Sequence, residues 1–169
     1  LAPKDISHSK SEEESSFTST GEKLNYHWPV FKKYADTGYG SIIRATVTNH
    51  QKCSSKCSYC STIHRNNSDS ISLAEFQTFI DDLTDRQVDF NRQHFPEYNA
   101  LYKSVTGKDI GLQGLIFSGG GQPNLWPHFE DAVKYAFSKG LDIGLITNGF
   151  PKNIDPDIYK LFSWIRISI

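Results

Sequence analysis

The feature that most constrains the fold of this chain is an alternation of two kinds of segment. Short runs of apolar and β-branched residues alternate with segments in which apolar residues recur at helical spacing. The short runs cover residues 41–48, 112–117, 141–146 and 164–169. Strands joined through helices pair in parallel, and right-handed crossovers place the helices outside the sheet. The sequence therefore predicts an α/β fold with a parallel βα-repeat sheet, either open or curling toward a barrel.

The intervening segments carry helix start and stop signals. Ser72 followed by Glu75 is a capping box, and apolar residues recur at helical spacing after it. Pro96 marks the approximate end of this helix, and residues 97–110 are predicted to form an irregular connection. The predicted helices cover residues 72–94, 127–138 and a short stretch after the N-cap Asp155.

Composition divides the chain into three regions. Residues 1–24 are rich in Ser and Glu and predict a disordered tail, whereas residues 25–40 are aromatic and predict an ordered lead-in segment. Residues 41–169 are predicted to be the main domain. Residue 1 is Leu, the chain has no Met, and Ile169 lies inside a predicted strand. Together these features predict a fragment of a longer protein, incomplete at its C-terminus.

Charge and hydropathy exclude several classes. The 18 Lys and Arg residues are balanced by 19 Asp and Glu residues, so the basic excess expected of a nucleic-acid-binding protein is absent. No apolar run approaches the roughly 18 residues of a membrane span, and no signal-peptide pattern precedes the first strand. The sequence predicts a soluble, cytoplasmic protein.

All three cysteines, Cys53, Cys57 and Cys60, fall in one eight-residue stretch directly after the first predicted strand. An odd number of closely spaced cysteines does not indicate a disulfide framework. Soft thiolate ligands favour zinc or an iron–sulfur cluster. A structural zinc site needs a fourth ligand, for which His50 or His64 is the candidate. A 4Fe–4S cluster held by three cysteines leaves one iron open to a small molecule.

Other unusual residues follow the later strands. A glycine loop, Gly119–Gly121, follows the second strand, and Thr147-Asn148-Gly149 follows the third, although an Asn-Gly pair is by itself typical of a turn. The carboxyl ends of parallel strands meet at one edge of the sheet, where such folds place their chemistry. These segments and the cysteines are therefore expected at one edge.

The cysteine spacing resembles the CxxxCxΦC signature of the radical S-adenosylmethionine (SAM) superfamily, with Tyr59 as the aromatic residue. Residues 120–123, Gly-Gly-Gln-Pro, resemble the GGEP loop of the same family. The resemblance covers residues 41–169. It implies the first four strands of a partial (βα)6, TIM-like barrel that is truncated here.

The resemblance also implies roles for individual residues. The cysteines would hold three irons of a 4Fe–4S cluster, and SAM would bind the fourth iron. Gln122 replaces the usual Glu, which retains a side-chain carbonyl and loses a carboxylate. Independently of the resemblance, Arg166 in the fourth predicted strand is expected to pair with a carboxylate or to reach solvent. The residues implied to contact SAM are Tyr59, near the adenine, Gly119, Gly120, Gly121 and Gln122, near the methionyl group, and Ser168, near the ribose.

The predicted function is reductive cleavage of SAM to a 5′-deoxyadenosyl radical, which would abstract hydrogen from a substrate that the sequence does not identify. A low-potential electron donor of the flavodoxin or ferredoxin type is the implied partner, and no catalytic residue beyond the cofactor ligands is assigned. The alternative is a zinc-stabilised, non-catalytic interaction module. A plain electron-transfer protein is disfavoured because each cubane cluster then takes four cysteines.

Overall fold

The structure is a computed structural model that describes residues 22–149 and 154–168. Its strands are β1 (Arg44–Val47), β2 (Gly114–Phe117), β3 (Asp142–Thr147) and β4 (Trp164–Ile167). Its α-helices are α1 (Glu22–Asn25), α2 (Trp28–Thr37), α3 (Leu73–Asp81), α4 (Gln87–His94), α5 (Pro96–Thr106), α6 (Phe129–Ser138) and α7 (Pro156–Tyr159). A π-helical turn (Asp82–Arg86) joins α3 to α4, and a 3₁₀ turn (Pro123–Leu125) precedes α6.

The four strands form one sheet in the order β1-β2-β3-β4, and every pair is parallel. This confirms the predicted parallel βα sheet. The sequential order has no reversal of the kind that defines a doubly wound sheet, and it is the order that neighbouring barrel strands have. Val47 pairs with Phe117, and Thr147 pairs with Ile167. The carboxyl ends of all four strands therefore lie at one edge, which we call the rim.

The hydrophobic core lies between one face of the sheet and helices α3, α6 and α7. Leu115 and Phe117 of β2 and Ile143 and Leu145 of β3 are fully buried against these helices. The alternation follows from the two-residue period of a strand, which sends every second side chain to the same face. On the opposite face, the Trp164 indole of β4 covers Gly144, at a distance that leaves no room for a Cβ atom there.

The predicted helix over residues 72–94 is confirmed, with a π-helical turn in its middle. The Ser72 hydroxyl accepts a hydrogen bond from the Glu75 backbone N–H at 3.2 Å, and the Glu75 carboxylate accepts one from the Ser72 N–H at 2.7 Å. The capping box thus fixes the start of the helix. Asp155 caps α7 in a similar way, since its carboxylate accepts a hydrogen bond from the Asp157 N–H at 2.9 Å.

The prediction that residues 97–110 are irregular is wrong, because they contain most of helix α5. Pro96 occupies the first turn of this helix, where the missing N–H costs nothing, so it starts a helix as well as ending the previous one. Gly107, at φ +75°, ends α5 in the left-handed conformation. The first strand is also shorter than predicted, since only Arg44–Val47 of residues 41–48 is extended and paired.

Residues before the sheet form two helices, α1 and α2. Val30 of α2, Tyr102 of α5 and Ile110 form a small second hydrophobic cluster. Lys33 of α2 is buried, and its Nζ donates hydrogen bonds at 2.7 Å to the Asn91 side-chain carbonyl and to the Ser41 hydroxyl. Burial lowers the pKa of Lys33. The predicted tail lies outside the described residues up to residue 21, as does Ile169 at the end of the fourth predicted strand.

Within residues 22–149 and 154–168, no helix is long and apolar enough to cross a membrane.

Candidate functional site

Loops that follow the four strands surround one cavity of about 280 Å³ at the rim. The cysteine loop (residues 48–70) follows β1, the glycine loop (residues 118–122) follows β2, Thr147–Gly149 begins at the last residue of β3, and Ser168 follows β4. Every residue that the sequence predicted for the site lines this cavity: Cys53, Cys57, Tyr59, Cys60, Gly119, Gly120, Gly121, Gln122 and Ser168. The parallel register brings together segments that are more than 100 residues apart in the chain.

The three cysteines are free thiols, and each is partly buried. Cys57 and Cys60 are joined by a tight turn, in which the Cys60 N–H donates to the Cys57 carbonyl at 3.2 Å. Within the described part of the chain, no three His, Cys, Asp or Glu side chains converge closely enough to hold one metal ion. The thiols therefore share the wall of a cavity without meeting at one point.

This arrangement bears on the two metal hypotheses differently. Zinc requires all its ligands at about 2.0–2.3 Å from a single ion, and the described residues do not provide such a group. The Nε2 atom of His50, one candidate fourth ligand, lies 2.7 Å from the Gln122 carbonyl oxygen. In a cluster each thiolate would bind a different iron, so three thiols that line one cavity would not need to meet at a single ion.

Cys60 has the most polar surroundings of the three thiols. Its Sγ lies 3.4 Å from the Thr62 hydroxyl and 3.2 Å from a guanidinium nitrogen of Arg65, which donates to it. Hydrogen bonding with the side chain and backbone of Thr62, and then the hydrogen bond and charge of Arg65, lower the pKa of the Cys60 thiol. A lowered pKa favours the thiolate, which is the form that binds metals.

The glycine loop packs directly on the start of the cysteine loop. A Cβ atom at Gly121 would lie 2.5 Å from the Lys52 carbonyl oxygen and 2.6 Å from the Gln51 carbonyl carbon, and both are backbone atoms. At Gly119, φ is +118° and a Cβ atom would overlap the Thr48 side chain. The sequence explained these glycines by close approach of a cofactor. In the structure, Gly119 and Gly121 also allow the glycine loop to pack closely against residues 48–52.

Gln122 joins the glycine loop to the cysteine loop through three hydrogen bonds. It is 2% exposed. Its backbone N–H donates to the Lys52 carbonyl at 2.8 Å, its carbonyl lies 2.7 Å from His50 Nε2, and its side-chain carbonyl accepts from the Ser54 hydroxyl at 2.7 Å. The side-chain oxygen that Gln and Glu share is therefore used to hold the cysteine loop.

Sequence reasoning missed three contributors to the site: Thr62, Arg65 and the positioning contact of Asn148. The Thr62 hydroxyl donates to the Gly120 carbonyl at 3.0 Å, and the Asn148 amide donates to the Ser55 hydroxyl at 2.7 Å. Asn148 had a signal, its place after a strand at the rim, but the Asn-Gly pair was interpreted as a turn. No sequence signal marked Thr62 and Arg65, because only the folded turns after Cys60 direct these two side chains to the cavity.

Tyr59 and Ser168 line the cavity but are exposed, and Arg166 and His64 do not line it. Tyr59 is 78% exposed, and Ser168 is exposed with its N–H bonded to the Thr147 carbonyl at 2.8 Å. Arg166 of β4 is exposed, and so is His64.

Comparisons with known proteins relate the chain distantly to an enzyme that uses SAM. No family model matches the chain, and no solved structure matches it. The chain is similar to an S-adenosylmethionine-dependent nucleotide dehydratase from Selenomonas ruminantium, with 28% identity over 123 residues. The match covers 70% of this chain and 36% of that relative, so the chain spans about a third of the relative's length. The similarity supports a SAM-using enzyme.

Proposed function

We propose that this chain carries the cofactor-binding half of a radical SAM enzyme. The observation that carries the proposal is the cavity at the rim, which three free thiols and a glycine loop line together. Cys53, Cys57 and Cys60 would hold a 4Fe–4S cluster, and the three-thiol set leaves one iron for a small molecule. The similarity to a SAM-dependent enzyme supports SAM as that molecule.

Cys53, Cys57 and Cys60 would hold the cluster, which when bound would supply the single electron for reductive cleavage of SAM to methionine and a 5′-deoxyadenosyl radical. The electron comes from an external low-potential donor of the flavodoxin or ferredoxin type. The chain's own residues orient and enclose the cofactors. Gln122 and Asn148 hold the cysteine loop, while the backbone of Gly119–Gly121 and the Tyr59 ring line the space for SAM.

The substrate class follows from the same comparison and is proposed on that basis alone. The relative's name describes a nucleotide dehydratase. A nucleotide is therefore the substrate to test first, by measuring whether nucleotides, and not the matching nucleosides, increase the yield of 5′-deoxyadenosine from SAM.

The test of the cofactor assignment is metal analysis of the anaerobically reconstituted protein. About four irons and four sulfides per chain are expected, with a reduced-cluster electron paramagnetic resonance (EPR) signal that changes when SAM is added. Alanine replacement of Cys53, Cys57 or Cys60 should abolish the signal. Ser58→Ala is the matched control, because Ser58 is an exposed residue of the same loop. One zinc and no iron would overturn the proposal in favour of the interaction module.

A further inference from the structure

Arg65 is a charged residue of the cavity wall to which neither the resemblance nor the comparison assigns a role. One of its guanidinium nitrogens donates hydrogen bonds to Cys60 Sγ at 3.2 Å, to the Thr62 carbonyl at 2.9 Å and to the Thr62 hydroxyl at 3.3 Å. Arg65 and Cys60 are five residues apart in sequence and belong to one loop.

The backbone between the two residues places the guanidinium over the sulfur. Consecutive turns follow Cys57, with hydrogen bonds from the Cys60 N–H to the Cys57 carbonyl at 3.2 Å, from the Ile63 N–H to the Cys60 carbonyl at 3.3 Å, and from the Arg65 N–H to the Thr62 carbonyl at 3.0 Å. The chain thus curls back on itself. Among the described residues, the Arg65 side chain is hydrogen-bonded only to Cys60 and Thr62, which belong to the same loop.

In this position one buried hydrogen-bond donor of Arg65 lacks an acceptor among the described residues. Its Nε atom is buried and has no hydrogen-bond partner among the described residues. An unsatisfied buried donor costs about 1–3 kcal/mol, and such groups concentrate where a function compensates the loss. In this conformation the guanidinium group contacts both Cys60 and Thr62.

The contact also makes the three thiols unequal. Cys53 Sγ accepts a hydrogen bond only from the Ser55 N–H, at 3.5 Å, among the contacts of the described residues. Cys60 Sγ alone in that set lies beside a cationic donor. Any group bound by the cysteines will therefore have the positive charge of the Arg65 guanidinium beside its Cys60 ligand.

We propose that Arg65 is a positioning residue that holds the Cys60 thiolate and raises the reduction potential of the 4Fe–4S cluster. The inference rests on the proposed function. Reduction brings one electron from the external donor onto the cluster and releases nothing, so the reduced form carries one more negative charge. A cation and a hydrogen bond at a ligand sulfur stabilise the more negative form, which shifts the potential upward. Arg65 gains and loses no proton in this step.

The experiment is an EPR-monitored dithionite titration of reconstituted wild type, Arg65→Gln, Arg65→Lys and Arg44→Gln. Arg65→Gln should lower the midpoint potential, so that at the wild-type midpoint the ratio of reduced to oxidised cluster falls on the order of tenfold, which is about 59 mV for one electron. Arg65→Lys keeps the charge and should shift the potential less. Arg44→Gln is the control, because Arg44 is an exposed arginine that lines a different cavity at the opposite end of β1.

A purely structural role for Arg65 would lower the amount of cluster in the variants without moving the potential of the clusters that form. Equal midpoints in wild type and Arg65→Gln would overturn the inference and leave the proposed function intact. If Arg65→Gln does not retain a cluster, Arg65→Met, which also removes the charge, takes its place, and an unshifted midpoint in that variant overturns the inference. If the wild type binds no iron, the proposed function fails and the inference fails with it.

Discussion

The helix-covered face of the sheet and the rim at its carboxyl ends are held by different forces. On the covered face, Phe76 of α3 stacks on Phe117 of β2 and meets the edge of Trp126, and all three are fully buried. At the rim, the contacts between loops are directional hydrogen bonds, such as Ser54 to Gln122 and Asn148 to Ser55. Apolar burial is non-directional and stabilises the fold, whereas hydrogen bonds have modest net energy and fix geometry.

This difference predicts that the two regions respond differently to mutation. Changes on the covered face should lower the free energy of unfolding and leave the site of the folded molecules intact. Changes at the rim should disturb cofactor binding more than stability. Two experiments test the contrast, and a third, at an ion pair outside both regions, gives a reference. They follow in order from the largest expected change in stability to the smallest.

The largest effect is expected for Phe76→Ala, which removes a ring from the centre of the core. The free energy of unfolding should fall by about 3–5 kcal/mol because a cavity replaces well-packed contacts. Urea denaturation followed by circular dichroism measures it. Phe79→Ala is the control on the same helix, since Phe79 is exposed and should cost less than about 1 kcal/mol. Equal losses for the two variants would contradict the assigned core.

The second effect is expected for Gly121→Ala at the rim. The added methyl would meet the backbone of Lys52 and Gln51, which has to move, at a cost of about 1–3 kcal/mol. Iron content per folded chain should fall at least severalfold, because the displaced segment leads into the cysteines. Gly40→Ala is the control, as a Cβ atom there meets nothing within 4 Å. Unchanged iron content in Gly121→Ala would break the proposed link between the two loops.

The smallest effect is expected at Asp109, which lies between α5 and β2, away from the rim. Hydrogen bonds from Arg92 and from Asn99, at 2.7 Å each, hold the pKa of Asp109 down at about 2. A lowered folded-state pKa adds stability above the unfolded pKa of about 3.9, which is lost as the pH falls toward 2. After screening, the contribution is on the order of 1–2 kcal/mol.

Asp109→Asn should therefore reduce stability at pH 7 by that amount and flatten the decline in the free energy of unfolding between pH 4 and pH 2. Urea titrations across this pH range measure both quantities. Asp89→Asn is the control, because the Asp89 side chain is 77% exposed and lies 3.6 Å from the same Arg92. An acid decline that stays as steep in Asp109→Asn as in the wild type would show that other carboxylates dominate it.

Local signals explain which elements could be predicted. The capping box at Ser72 and the Asp155-Pro156 pair are read from neighbours in sequence, and both helices begin where these signals stand. Pro96 led to the wrong prediction for residues 97–110. A proline can end one helix and start the next, and no local signal shows whether a second helix follows. The π-helical turn at Asp82–Arg86 likewise could not be predicted, because the apolar spacing there is the same as in one continuous α-helix.

By itself, the sequence determined that strands and helices alternate, that the sheet is parallel, and that the cysteines and glycines end on one edge, because hydrophobic periodicity and chain connectivity are local properties. Only the tertiary structure decided which atoms meet there. Gln122 is used to anchor the cysteine loop, Asn148 contacts Ser55, and Arg65 lies on Cys60. Such contacts depend on angles and distances between segments remote in sequence, or on consecutive turns, and a residue pattern specifies neither.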